Sequence, residues 1–79
     1  LWHRDRVLNV GDLETMTGVP SDVSVETLKS AGLLRGRADR LVILGNGEVS
    51  KAFNVKAFRV SKSAVEKIEK AGGKVELVN

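Results

Sequence analysis

Seven cations crowd the middle of this sequence. Arg35, Arg37 and Arg40 lie close together, and Lys51, Lys56, Arg59 and Lys62 follow. No acidic residue stands between Lys51 and Lys62. An unneutralised run of this kind suits phosphate, because each contact releases counterions condensed on a nucleic acid. Arginine adds a two-pronged grip on phosphate oxygens. The same pattern also arises as the solvated face of a small domain.

Other chemistry finds little support. His3 is the single histidine and there is no cysteine, which excludes a thiolate metal site, an ordinary paired-histidine zinc site and most histidine-based triads. Asp12 and Glu14 are two residues apart and do not face each other on a helix, so Asp12 reads as a cap. Ser61 and Ser63 have no nearby histidine to act as a base, and capping explains them. Gly45-Asn46-Gly47 lacks the third glycine and the following helix of a nucleotide loop and reads as a turn. Trp2 reads as a packing residue. No nucleophile, base and oxyanion donor assemble, so the sequence predicts no enzyme, no cofactor, no metal and no small-molecule substrate.

The elements that must position the cations follow from periodicity and punctuation. Arg6 to Val10 predicts a strand ended by Gly11, and Asp12 an N-cap for a short helix over Leu13 to Thr17. Val19 to Asp22 reads as a turn around Pro20. Ser24 is the N-cap of a helix whose Val25, Leu28 and Ala31 share one face and whose stop is Gly32. The arginine-bearing segment from Leu33 to Arg40 is a loop. Leu41 to Leu44, a continuous apolar run, predicts a strand buried on both faces. Val55 to Val60 predicts another. Ser61 caps a helix over Lys62 to Ala71 with Ala64, Val65, Ile68 and Ala71 in one stripe. Gly72-Gly73 ends it, and Lys74 to Val78 alternates as a last strand with Val75 and Leu77 on one face. Strands separated by helices predict a small α/β domain with partly parallel pairing.

The chain of 79 residues allows one domain with a small core. An apolar content of 42% suits a globular chain, and no apolar run approaches the ~20 residues of a membrane span. The net charge is +3 and the pI about 9.6. The charge is uneven: residues 1–34 carry −2, residues 35–62 carry +5, and residues 63–79 are neutral. The chain starts at Leu1 with no signal-peptide pattern, which is what a fragment, a processed product or part of a longer protein would show. Phe53 and Phe58 belong to no single-strand-binding motif, so structured RNA read through backbone and shape fits the composition better than base stacking.

Three stretches resemble a known family. Val7-Leu8-Asn9-Val10-Gly11-Asp12-Leu13-Glu14 is similar to the strand-to-helix opening of the bacterial-type large-subunit ribosomal protein L fifteen family. Val25 to Leu34, followed by basic residues, resembles its middle helix and loop. Ile43-Leu44-Gly45-Asn46-Gly47-Glu48-Val49, then Ser61-Lys62-Ser63-Ala64, Ile68 and Ala71-Gly72-Gly73, resemble its most specific part. At the position of Val42 the family commonly carries lysine. The family's long basic N-terminal arm has no counterpart in this sequence. The resemblance implies that residues 1–79 form a single globular domain like the C-terminal part of a longer protein. It further implies a structural constituent of the large ribosomal subunit, cytoplasmic or organellar, that binds large-subunit ribosomal RNA, supports assembly and neighbours other ribosomal proteins.

Two readings stay open on the residues. In one, Arg35, Arg37, Arg40, Lys51, Lys56, Arg59 and Lys62 neutralise RNA phosphates. Strand alternation then puts Lys56 and Arg59 on opposite faces unless the strand twists or bulges. In the other, the chain is a protein-interaction module docking through an apolar surface, and the basic run only solvates it. Salt separates them, because phosphate binding falls steeply with ionic strength and apolar docking does not.

Overall fold

The computed structural model describes residues 5–34, 36 and 40–78. Trp2, His3, Arg35 and Arg37 lie outside the described residues. Among the described residues nine elements follow one another: β1 (Asp5–Asn9), α1 (Val10–Thr15), β2 (Asp22–Val23), α2 (Val25–Ser30), β3 (Arg40–Leu44), β4 (Asn54–Ala57), β5 (Arg59–Val60), α3 (Lys62–Lys70) and β6 (Lys74–Leu77). The strands sort by parity into two three-stranded sheets, β1-β3-β5 and β2-β4-β6. Among the described residues every pairing is parallel, so the α/β expectation is met with more parallel pairing than the sequence indicated.

Short parallel strands must be tied by their helices, and local signals fix those helices. Ser24 caps α2: its side chain accepts from the Thr27 backbone, and Thr27 Oγ1 accepts in return from Ser24 N. At the other end Gly32, at φ 76°, donates to Lys29 O while Leu33 N donates to Leu28 O. This pair of bonds around a left-handed glycine satisfies the last carbonyls. Ser61 caps α3 through Ala64 N at 3.3 Å, and Lys67 and Lys70 in the last turn suit the helix dipole. Gly72 (φ 91°) and Gly73 repeat the α2 ending, donating to Glu69 O and Ile68 O. A Cβ at Gly73 would overlap the carbonyl of Phe53, whose oxygen receives Lys74 N at 3.0 Å and so starts β6.

The core lies between the sheets and helices. Val10, Leu13, Val23, Leu28, Leu41, Ile43, Val55, Ala57, Ala64 and Ile68 are almost fully buried, with Leu34 and Phe53 beside them. In α3 the i, i+4 pair Ala64 and Ile68 points inward, while Val65 and Ala71 are only half-buried.

Several expectations are corrected. Val10 does not end the first strand; it opens α1 and is fully buried, which shifts that helix to Val10–Thr15. Asn9 is the N-cap, and Asp12 acts from the third helical position, its carboxylate accepting from Asn9 N at 2.8 Å. The turn around Pro20 runs directly into the two-residue strand β2, made by pairing with β4. Ala31 is exposed and does not extend the α2 core face. β3 is buried on one face only: Leu41 and Ile43 are inside, Val42 is half-buried and Leu44 is exposed. β6 keeps Val75 half-buried but leaves Leu77 65% exposed.

The largest difference concerns the predicted strand from Val55 to Val60. It is two strands in two sheets, broken at Phe58. Phe58 N donates to Leu41 O and Ser61 N to Ile43 O, which draws the chain from β4 across to β3. Alternation therefore no longer relates Lys56 to Arg59.

Candidate nucleic-acid interface

The elements divide the candidate cations into separate settings. Arg40 opens β3 opposite Asp5 of β1. Its Nε donates to Asp5 Oδ1 at 2.8 Å and its Nη2 to Oδ2 at 3.3 Å. The guanidinium lies 4.0 Å over the Phe58 ring centroid. Arg40 thus ties the starts of two strands to the chain's crossing point, and much of its charge meets Asp5 rather than a partner. A planar, fixed guanidinium is nonetheless a prepared surface.

Lys56 stands on the exposed face of β4, in register with Glu76 of β6. It shares with Arg40 a cleft of about 600 Å³ between the two sheets, bordered also by Asp22, Asn54 and Phe58. Arg59 is exposed on β5, in register with Val42 and, beyond it, Val7. Lys62 is exposed in the first turn of α3, three residues on. Here β3 leaves its sheet so close to α3 that a Cβ at Gly45 would overlap Ser63 Oγ. Arg40 and Lys56 therefore share the cleft, while Arg59 stands on the β1-β3-β5 sheet and Lys62 on α3.

Lys51 rides on the loop between β3 and β4, and that loop is pinned at three places. Gly11 N donates to Asn46 O at 2.9 Å. Lys67 Nζ donates to Gly45 O at 2.7 Å and Gly47 O at 2.5 Å, with Glu48 Oε1 3.8 Å away. Glu14 accepts from Ser50 N and Ser50 Oγ, both at 2.9 Å. Gly47 sits at φ 86°, and a Cβ there would come within 2.7 Å of Gly11 Cα, so the turn admits only glycine. Glu14 and Lys67 are the residues that sequence reasoning missed. Sequence reasoning assigns neither a partner, because these lie 36 and 20–22 residues away.

Hydrogen bonds from the Ser50 backbone, then from its hydroxyl, hold the Glu14 carboxyl below its ordinary value of 4.5, and the charge of Lys51 adds to this. The depressed value gives the loop a stabilisation that is complete above pH 4.5 and lost as pH falls through the lowered pKa. An NMR pH titration of the Ser50 amide is expected to show that step in acid, and Glu14→Gln to remove it.

Among the described residues no cluster of histidine, cysteine, aspartate or glutamate could hold a metal ion. Among them, too, no helix is long and apolar enough to cross a membrane.

Comparison with known proteins gives one consistent result. The sequence pattern shared by ribosomal proteins 50S-L15 and 50S-L18e and their 60S counterpart matches residues 7–76. The chain is 52% identical over 71 residues to large ribosomal subunit protein uL15 of Anaeromyxobacter sp. (strain K), covering 90% of this chain and 41% of that protein. It is 46% identical over 71 residues to the protein of that name from Desulforapulum autotrophicum, covering 90% and 48%. The counterpart from Aquifex aeolicus is 46% identical over 72 residues, covering 91% and 48%. The chain spans less than half the length of these relatives.

Proposed function

Since the chain belongs to the family of ribosomal proteins 50S-L15 and 50S-L18e and their 60S counterpart, we propose that it is a non-enzymatic constituent of the large ribosomal subunit. In this reading residues 1–79 are a C-terminal globular domain that binds large-subunit ribosomal RNA in the cytoplasm and supports subunit assembly beside neighbouring ribosomal proteins. The observation that carries it is the family match across residues 7–76. The disposition of charge supports it: Lys51, Lys56, Arg59 and Lys62 are all exposed and none is committed to the core. Arg35 and Arg37 join them as proposed phosphate contacts on sequence alone. Arg40 is retained as a contact through its guanidinium plane rather than as a free charge.

The test is binding of the chain to large-subunit ribosomal RNA across a salt series. Affinity should fall steeply as salt rises, by about 0.7–0.9 in log–log slope for each phosphate neutralised. A second reading, docking on a protein neighbour, is favoured by the exposed Val7 and Leu44, 51% and 39% open to solvent on the uncovered face of β1 and β3. Absent or salt-indifferent binding to RNA would overturn the first reading and leave the second.

A further inference from the structure

We propose that the cleft between the two sheets is a pocket for one unpaired RNA nucleobase, guanine best. The proposal rests on the RNA-binding reading and names what part of the RNA this surface takes. The cleft holds about 600 Å³, inside the range of about 300–1,000 Å³ typical of small-ligand sites. Its walls differ in chemistry. One carries two stacked planar groups, the Arg40 guanidinium and the Phe58 ring, 4.0 Å apart. Asp5 takes two N–H donors of that guanidinium and fixes its orientation. Arginine planes and aromatic rings are the surfaces on which splayed-out bases stack.

The cleft border also carries a hydrogen-bonding edge. Asn54 Nδ2 donates to Asp22 Oδ1 at 3.2 Å, which orients a carboxylate at the cleft border. A carboxylate accepts from two adjacent donors, and guanine presents such a pair in its imino and amino N–H groups. Lys56 on the same border supplies the phosphate contact. The mixture of signs argues for this occupant over a bare phosphate track. Asp22 and Glu26 both border the cleft, and would repel a backbone laid along it, whereas a base edge meets Asp22 and keeps its phosphate beside Lys56. Arg40 binds through its plane, which explains how a guanidinium already paired with Asp5 still serves RNA.

The test uses the chain itself with GMP and, separately, inorganic phosphate at millimolar concentrations. NMR spectra follow the backbone and side-chain N–H groups. GMP is expected to shift the Asn54 side chain, Arg40 Nε and the Phe58 and Val78 amides, and phosphate alone is not. Arg40→Lys keeps the charge and loses the plane, so GMP should bind at least about fivefold more weakly. Phe58→Leu, which leaves the Asp5 pair in place, removes the ring that backs the guanidinium and should weaken it by a smaller factor. Spectral dispersion reports whether each variant is folded. Equal shifts with phosphate, shifts confined to Arg59 and Lys62, or no shift with GMP would each overturn the pocket. Salt-steep binding to ribosomal RNA would survive any of those results, so the two readings fail separately.

Discussion

Ile68→Ala is expected to leave most of the chain unfolded in ordinary buffer. Ile68 is fully buried in the last turn of α3, and Gly73, whose Cβ would meet Ile68 Cγ2 at 2.9 Å, closes over it. Removing such a side chain costs the transfer energy and leaves a cavity, about 2–5 kcal/mol together. A domain of this length derives only about 3–5 kcal/mol from its core, so the loss is of the same size as the total stability. Ile68 also holds the Gly72–Gly73 ending, since Gly73 N donates to its carbonyl, and β6 starts there. Urea denaturation followed by circular dichroism should show little or no folded baseline. Leu77→Ala is the control: at 65% exposure it should change stability by no more than about 0.5 kcal/mol.

The second large effect belongs to the cations. Replacing Lys51, Lys56, Arg59 and Lys62 together by alanine should leave the fold intact, because all four are exposed. It should flatten the dependence of ribosomal RNA affinity on salt by about 3 in log–log slope if each neutralises one phosphate. Arg40 is kept in this variant because its bonds to Asp5 hold β1 to β3. Filter binding at several salt concentrations measures the slope. A drop in affinity with an unchanged slope would remove these four residues as phosphate contacts.

Much of the fold was legible because its signals are local. A serine followed three residues later by a backbone N–H it can cap needs nothing from the rest of the chain, and Ser24 and Ser61 behave accordingly. The glycines that end α2 and α3 do so through φ values that other residues rarely adopt. The apolar pair Ala64 and Ile68 marks its buried face by spacing alone. The errors fall where a partner beyond the immediate run of residues decides. Val10 looked like the end of a strand because it is apolar. It is helical because Asn9 and Asp12 satisfy each other's backbone groups around it. Leu41 to Leu44 reads as buried on both faces, yet among the described residues no element covers the side of Val42 and Leu44 enough to bury them.

The candidate site was legible as a set of charges and not as an arrangement. Composition and order by themselves determined that residues 35–62 hold the positive charge, that serine caps and glycine stops delimit two helices, and that the chain carries the pattern of a ribosomal protein family. Tertiary structure alone decided which cations share a surface. Phe58 lies inside a segment that reads as one strand, and nothing local requires a break there. The break exists because Leu41 O and Ile43 O draw the backbone into the other sheet. That crossing puts Phe58 beneath Arg40, separates Lys56 from Arg59 and opens the cleft between the sheets. Likewise only the fold brings Glu14 and Lys67 to the loop that presents Lys51. Periodicity reports which face of an element is buried, but hydrogen bonds between residues far apart in sequence decide which elements become neighbours.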